Sequence, residues 1–219
     1  MRRVTGQLSE MLGIMVLLLV GLASPVYASL LNYEVTIDTS ALLGSVGYVD
    51  LQFNPGTITA PAAQAALTLF SSDATLQSGV QVDGDVAGVL PGIVLFSNTT
   101  PFNAVLQPMT FGNTASFHLN FSGAFTTMLS GANTLFSASL LDGDFNSLLT
   151  VDPIGTLLQF DLAPGGGITT TTFNAAIGTP SVVGVVAVAA VPVPAAVVLF
   201  GTGLAGLVGW QRKRLSKMV

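Results

Sequence analysis

Apolar and polar residues alternate with a period of two along most of the chain, from Leu30 to about Thr179. Tyr33, Val35 and Ile37 are interleaved with Glu34, Thr36 and Asp38, and Val49, Leu51 and Phe53 with Asp50, Gln52 and Asn54. The pattern returns at Phe117, Leu119 and Phe121 around His118, Asn120 and Ser122. It returns again at Leu158, Phe160 and Leu162 around Gln159 and Asp161. Successive side chains of a strand point to opposite faces, so each segment predicts a strand with one buried and one wet face. Turn formers separate them: Asn54-Pro55-Gly56, Asp83-Gly84, Leu90-Pro91-Gly92, Asp142-Gly143 and Asp152-Pro153. Short strands at this spacing predict an antiparallel β-sandwich of jelly-roll or immunoglobulin-like kind. One stretch is ambiguous. Ala60 to Phe70 is Ala-rich and reads as a short helix, while Ala66 to Phe70 fits a strand equally well.

The alternation stops at both ends. Arg2 and Arg3 precede an apolar run from Met11 to Leu22, and Val26-Tyr27-Ala28 places small residues before Ser29. This is the layout of a secretory signal peptide over residues 1–28, cleaved between Ala28 and Ser29. The Sec translocon and signal peptidase are its expected partners; the alternative is a retained N-terminal anchor. At the other end, Ala195 to Trp210 carries no charge and is followed by Arg212, Lys213 and Arg214. That run predicts a transmembrane helix over about 195–210, somewhat shorter than the roughly 20 residues a bilayer core needs. Pro192 and Pro194 would break or kink an upstream extension. The basic cluster is a stop that stays on the cytoplasmic side, so both ends place the middle of the chain outside. The expected organisation is a signal peptide (1–28), a β-sandwich ectodomain (29–180), a hydrophobic linker or last strand (181–190) and a membrane tail (191–219).

The tail resembles the PEP-CTERM sorting signal of Gram-negative, exopolysaccharide-producing bacteria. The resemblance is carried by Val191-Pro192-Val193-Pro194-Ala195, by the Gly-rich run Leu199-Phe200-Gly201-Thr202-Gly203-Leu204, and by the basic stop Arg212-Lys213-Arg214. Val193 stands where that family usually has Glu, which is closer to its Val-Pro-Leu-Pro-Ala variant. The resemblance implies recognition by an exosortase, a membrane-embedded sorting transpeptidase. It also implies an inner-membrane-tethered precursor and delivery to the cell surface or biofilm matrix, with exopolysaccharide as a partner there. More loosely, Tyr33 to Ser40, Phe53 to Gly56 and Gly84 to Gly88 resemble the β-rich ectodomains that many such proteins carry.

The distribution of charge narrows the partners. Every Lys and Arg lies near a terminus: Arg2, Arg3, Arg212, Lys213, Arg214 and Lys217. The stretch from Leu30 to Ala190 holds Glu34 and nine aspartates, with His118 as the one basic side chain if protonated. Such a domain repels phosphate and anionic polysaccharide, and nucleic-acid binding is excluded. There is no cysteine, which removes disulfides, thiol catalysis, Cys-based metal sites and a lipoprotein anchor.

Candidate chemistry is sparse. Asp142, Asp144 and Asn146 present oxygen ligands at alternate positions, as the start of a calcium loop does. Ser147 then stands where the sharp-turn Gly belongs, and Pro153 follows where a bidentate Glu would sit, so the run reads also as an Asp-Gly hairpin turn. Asp83-Gly84-Asp85 carries the same ambiguity. His118 has no second His at ligand spacing and reads as a surface residue. One Asp from each Asp-Gly-Asp cluster would be a candidate pair for glycoside hydrolysis. However, no aromatic residues concentrate nearby, and the single Trp is Trp210 in the tail. No nucleophile elbow, phosphate loop or dinucleotide fingerprint is present. Asn98-Thr99-Thr100 and Asn120-Phe121-Ser122 match the N-glycosylation pattern by chance in a bacterial chain, whereas Thr169 to Thr172 offers hydroxyls for O-linked sugar. Gly201, Ala205 and Gly209 share one face of the tail helix, either to dock against the sorting enzyme or as tolerated small residues.

These features lead us to expect an exported structural or adhesive protein and not an enzyme. The rivals are a surface polysaccharide hydrolase using Asp pairs and an unprocessed single-pass membrane protein.

Overall fold

The computed structural model describes residues 31–173 and 181–188. The expected signal peptide with its Ala28–Ser29 bond, the Val191–Ala195 motif, the tail helix and the Arg212–Arg214 stop lie outside the described residues. Among the described residues no helix is long and apolar enough to cross a membrane.

The described chain is mainly β. In order, its strands are β1 (Asn32–Asp38), β2 (Val46–Pro55), β3 (Ala63–Ser72), β4 (Thr75–Leu76) and β5 (Gln81–Asp83). β6 (Val86–Ala87), β7 (Val94–Ser97), β8 (Ala104–Thr110), β9 (Thr114–Gly123) and β10 (Thr134–Asp142) follow. The last four are β11 (Ser147–Leu148), β12 (Leu158–Ala163), β13 (Gly167–Thr172) and β14 (Val183–Ala187). The only helical pieces among the described residues are two short 3-10 turns, at Ser40–Leu42 and Ala124–Thr126.

The strands form two sheets, and paired neighbours run antiparallel. The first runs β14-β1-β9-β3-β7-β6, and the second β13-β12-β10-β2-β8-β4, with β11 added to β10 and β5 to β8. The alternation in the sequence sets which face of each strand turns inward. Tyr33, Val35 and Ile37 of β1, and Phe117, Leu119 and Phe121 of β9, are buried from the first sheet. Val49, Leu51 and Phe53 of β2, and Leu158, Phe160 and Leu162 of β12, are buried from the second. The two inner faces meet in one core.

That core is aromatic at its centre. The Phe121 ring lies 6.0 Å from Tyr33, 6.1 Å from Phe136 and 5.3 Å from Phe160, in tilted or edge-on arrangements. Rings prefer such contacts because the negative face of one meets the positive edge of another. Each buried Phe also removes enough apolar surface to contribute about 1.5–3 kcal/mol. A chain without disulfides is held this way, by area and packing.

Two open alternatives are decided. From Ala63 onward the stretch Ala60 to Phe70 is strand: Ala63, Ala65 and Leu67 of β3 point into the core, paired on one side with β9 and on the other with β7. A helix would leave β9 without a neighbour there. The segment after residue 180 is a last strand and not a linker. β14 pairs with β1 from Tyr33↔Ala187 to Ile37↔Val183, and Val183 is buried. Val183–Ala187 therefore belongs to the β unit.

Candidate functional site

The outer face of the second sheet carries a polar surface with a concavity. On β2 the outward positions are Tyr48, Asp50, Gln52 and Asn54. Across on β10 they face Leu141, Ser139, Ser137 and Leu135 in register. Ser137 in turn faces Gln159 on β12. All of these but Tyr48 floor a groove of about 270 Å³, and the segment after β11, including Ile154 and Thr156, forms one wall. That segment is held in shape by Asp152, whose Oδ2 accepts from Thr156 N–H at 2.9 Å and whose carbonyl accepts from Gly155 N–H at 3.0 Å.

The floor is ordered by a relay of amides. Gln52 Nε2 donates to Asp50 Oδ2 at 2.6 Å, and Asn54 Nδ2 donates to Gln52 Oε1 at 3.0 Å. Asn54 Oδ1 accepts from the Asn103 N–H at 2.7 Å. Asn103 is fully buried, and its Nδ2 donates to the carbonyls of Phe53 and Thr100, both at 2.9 Å. The relay therefore begins on a rigid core residue and ends on a carboxylate. Burial pushes the Asp50 carboxyl above the usual aspartate range, against the lowering effect of the Gln52 bond. Asp161 is also on this face, opposite Leu135, and its Oδ1 is buried without a partner.

A second concavity of about 420 Å³ lies among the loops after β2 and β7, lined by Pro55 to Ile58 and Asn98 to Pro101. Its polar groups are already committed. Asn98 is buried and bonded on both ends of its amide, Thr99 donates to Asp85, and the Thr100 hydroxyl donates to the Phe102 carbonyl and bonds Asn103. As a glycosylation acceptor Asn98 is inaccessible, whereas Asn120 is exposed on β9.

The residues singled out in the sequence are placed as follows. Asp142, Gly143, Asp144, Phe145 and Asn146 form the turn between β10 and β11. Asp142 Oδ1 accepts from the N–H groups of Asp144 (2.9 Å) and Asn146 (2.8 Å), and its Oδ2 accepts from Asn146 Nδ2 at 3.0 Å. The Asn146 side chain and backbone, then Asp144, hold the Asp142 carboxyl below its usual range. This is hairpin chemistry: the carboxylate that would take a cation is aimed at N–H donors. Among the described residues no group of three His, Asp or Glu could hold a metal ion. His118 stands half-exposed on the outer face of the first sheet, between Glu34 of β1 and Thr68 of β3, as its alternation predicts.

The Asp-Gly-Asp clusters are not brought together. Asp83 on β5 aligns with Ala104 and Gln52, whereas Asp142 aligns with Gly47, five positions along and three strands across. At ordinary strand spacing that is roughly 20 Å between Cα atoms. Asp50 and Asp161 share a face but are two strands and four positions apart, roughly 17 Å by the same spacing. Glycosidase pairs work at roughly 5–9.5 Å.

The expectation that no aromatic platform exists near these clusters needs correction. Phe145, in the β10–β11 turn, stacks on Tyr48 with centroids 4.9 Å apart and planes at 13°. Its backbone is left-handed, with φ of 64°, and the residue is 58% exposed. Tyr48 is nearly a hundred residues away in sequence, so no local pattern brings the two together. Ser137 and Ser139 belong to no motif in the sequence, and Gln159 is marked there only as a wet-face position. The available signal was compositional: their outward positions on strands carry short, uncharged polar groups. The chain matches no family model, and no curated protein or solved structure shows significant similarity to it.

Proposed function

We propose that this chain is an exported protein of the cell surface or extracellular matrix, with a structural or adhesive role. Its ectodomain is a β-sandwich of jelly-roll or immunoglobulin-like kind, bounded by a signal peptide and an exosortase-read tail. The observation that carries this is the three-part tail: Pro192-Val193-Pro194, an uncharged apolar run, then Arg212-Lys213-Arg214. The placement of charge supports it, because every Lys and Arg lies near a terminus while the β domain is acidic. A positive residue cluster at each end and none between is the arrangement that keeps both ends inside and exports the middle. The hydrolase alternative loses support from the wide separation of the aspartates. Calcium is left out of the proposal because Asp142 is engaged by the turn's own N–H groups.

The test is intact-mass and peptide mass spectrometry of the surface fraction from a host that encodes an exosortase. The expected mature chain starts at Ser29 and lacks the peptide containing Trp210. Recovery of Trp210 on the surface-exposed chain overturns sorting and leaves a plain single-pass anchor. Replacing Pro192 and Pro194 by Ala should let the tail helix extend upstream, hide the motif and leave precursor in the inner membrane. Neutralising Arg212, Lys213 and Arg214 should weaken the stop and have the same result.

A further inference from the structure

We propose that the groove on the outer face of the second sheet binds a neutral, hydroxyl-rich ligand, a short segment of polysaccharide. The inference deepens the adhesive role proposed above and rests on it, but it does not depend on how the tail is processed.

The groove holds polar groups that the protein itself leaves unused. Among the described residues, the hydroxyls of Ser137 and Ser139, the amide of Gln159 and the Oδ1 of Asp50 make no hydrogen bond. None of these atoms is sealed from solvent, since the one buried unpartnered side-chain atom among the described residues is Asp161 Oδ1. They converge on one concavity from three adjacent strands, β2, β10 and β12. The groove among the loops after β2 and β7 differs in this respect, because its polar groups are already paired. A half-buried floor of unpaired donors and acceptors gains most from a ligand that can satisfy both kinds.

Charge then selects the ligand class. No Lys or Arg occurs among the described residues, and Asp50 is the one ionisable group lining the groove. An anionic ligand would meet a carboxylate with no countercharge. A divalent cation would find a single carboxylate where it needs several oxygen ligands. A ligand O–H suits Asp50 Oδ1 as donor, and serine and glutamine side chains both donate and accept. An extended peptide reads a sheet along its edge through main-chain bonds. A sugar ring presents hydroxyls around its whole rim and can reach neighbouring strands, which lie about 4.8 Å apart. A volume of about 270 Å³ is at the small end of ligand clefts and suits one or two such rings.

The Tyr48–Phe145 stack adds an independent reason. Tyr48 is the next outward position on β2 before Asp50, so the aromatic pair stands beside the polar floor on the same face. An exposed ring held at a left-handed backbone position by the Asp142 turn offers a flat apolar surface. The carbon face of a sugar ring can lie on it while its hydroxyls enter the groove.

The test uses the full-length protein in a detergent without a sugar headgroup. Affinity electrophoresis would be run through gels containing dextran, galactomannan or β-1,3-glucan, with alginate and gelatin as anionic and protein controls. The wild-type chain is expected to be retarded by at least one neutral polysaccharide. Ser139→Val and Gln159→Leu should each weaken this by roughly three- to tenfold, the worth of one lost neutral hydrogen bond. Gln159→Glu, which keeps the shape, serves if Gln159→Leu does not fold, and it should weaken binding as well. Glu34→Gln, on the outer face of the other sheet, should leave retardation unchanged. Retardation that survives the groove substitutions overturns the groove and leaves the adhesive role standing. Retention by alginate or gelatin alone overturns the ligand class, and retention by none of the polymers overturns the groove, while the sorting reading stands or falls by the mass of the surface chain.

Discussion

Asn98 donates its side-chain amide to Thr134 Oγ1 at 2.8 Å and thereby joins the two sheets at one end of the core. Asn98 directly follows β7 in the first sheet, and Thr134 opens β10 in the second. The same amide donates to the Pro61 carbonyl at 2.9 Å, and its oxygen accepts from Ala63 N–H at 2.9 Å. Both residues are buried, so water cannot replace these bonds. Asn98→Ala should leave three groups without partners and cost about 3 kcal/mol, each such group being worth about 1–3 kcal/mol less any relaxation. Denaturant unfolding at unchanged slope measures it. A loss below about 1 kcal/mol would show that the link is dispensable.

Phe121 and Phe145 should separate core from surface. Phe121 is fully buried among four aromatic rings, and truncation to Ala should cost about 3–5 kcal/mol. Phe145 is largely exposed and touches one ring, so its truncation should cost no more than about 1.5 kcal/mol. Equal losses in chemical denaturation would contradict the packing described.

Asp73 makes the fold sensitive to acid. Its carboxylate accepts from Thr114 N–H at 2.9 Å, and from Asn113 N–H and Nδ2, pinning the loop after β3 to the turn between β8 and β9. These bonds, Thr114 first, hold its carboxyl down at about 2, against 3.8 for an ordinary aspartate. A depressed folded-state value means the stabilisation is complete above the unfolded value and is lost as pH falls through about 2. Asp73→Ala should therefore melt below the wild type at neutral pH, and the gap should close between about pH 4 and pH 2. A gap that stays constant down to pH 2 would show that ionisation of Asp73 is irrelevant.

Asp50 has the opposite sign. Its folded-state carboxyl is raised by burial, so folding favours the protonated form. Ionisation then costs stability as pH rises through the unfolded value, and the full cost is felt above the folded one. Asp50→Asn keeps an acceptor for Gln52 and should melt higher than the wild type at neutral pH, with the advantage disappearing below about pH 4. The same substitution should weaken retardation by neutral polysaccharide, since the groove loses its acceptor-only oxygen. A lower melting temperature at neutral pH would mean that the carboxylate is stabilised there.

Asp142 is expected to act through its turn. Asp142→Ala removes the acceptor that gathers Asp144 and Asn146, and should lower the melting temperature by the same amount with and without added calcium. A calcium-dependent rise in the wild type that the substitution abolishes would restore the metal reading.

The local sequence determined four of the strands, β1, β2, β9 and β12, and the side of each that is buried. Alternation at Tyr33–Ile37, Val49–Phe53, Phe117–Phe121 and Leu158–Leu162 is a property of neighbouring residues, and burying one face of a strand needs only that pattern. The turns at Asp83-Gly84 and Asp142-Gly143 were legible for the same reason.

Tertiary structure decided what depends on partners far away in the chain. β1 lies between β9 and β14 through pairings such as Val35↔Phe117 and Val35↔Val185, which no window of sequence contains. That pairing turned the segment after residue 180 into a strand. The helix-or-strand ambiguity of Ala60 to Phe70 closed only because β9 and β7 stand on either side. The groove arises likewise, because Asp50, Ser139 and Gln159 belong to three strands and acquire a common face only when β10 sits between β2 and β12. Asn98 stands out in sequence only through a chance glycosylation match, and it is a buried tie between sheets. A short polar side chain has no pattern of its own, and its role is set by what the fold packs around it.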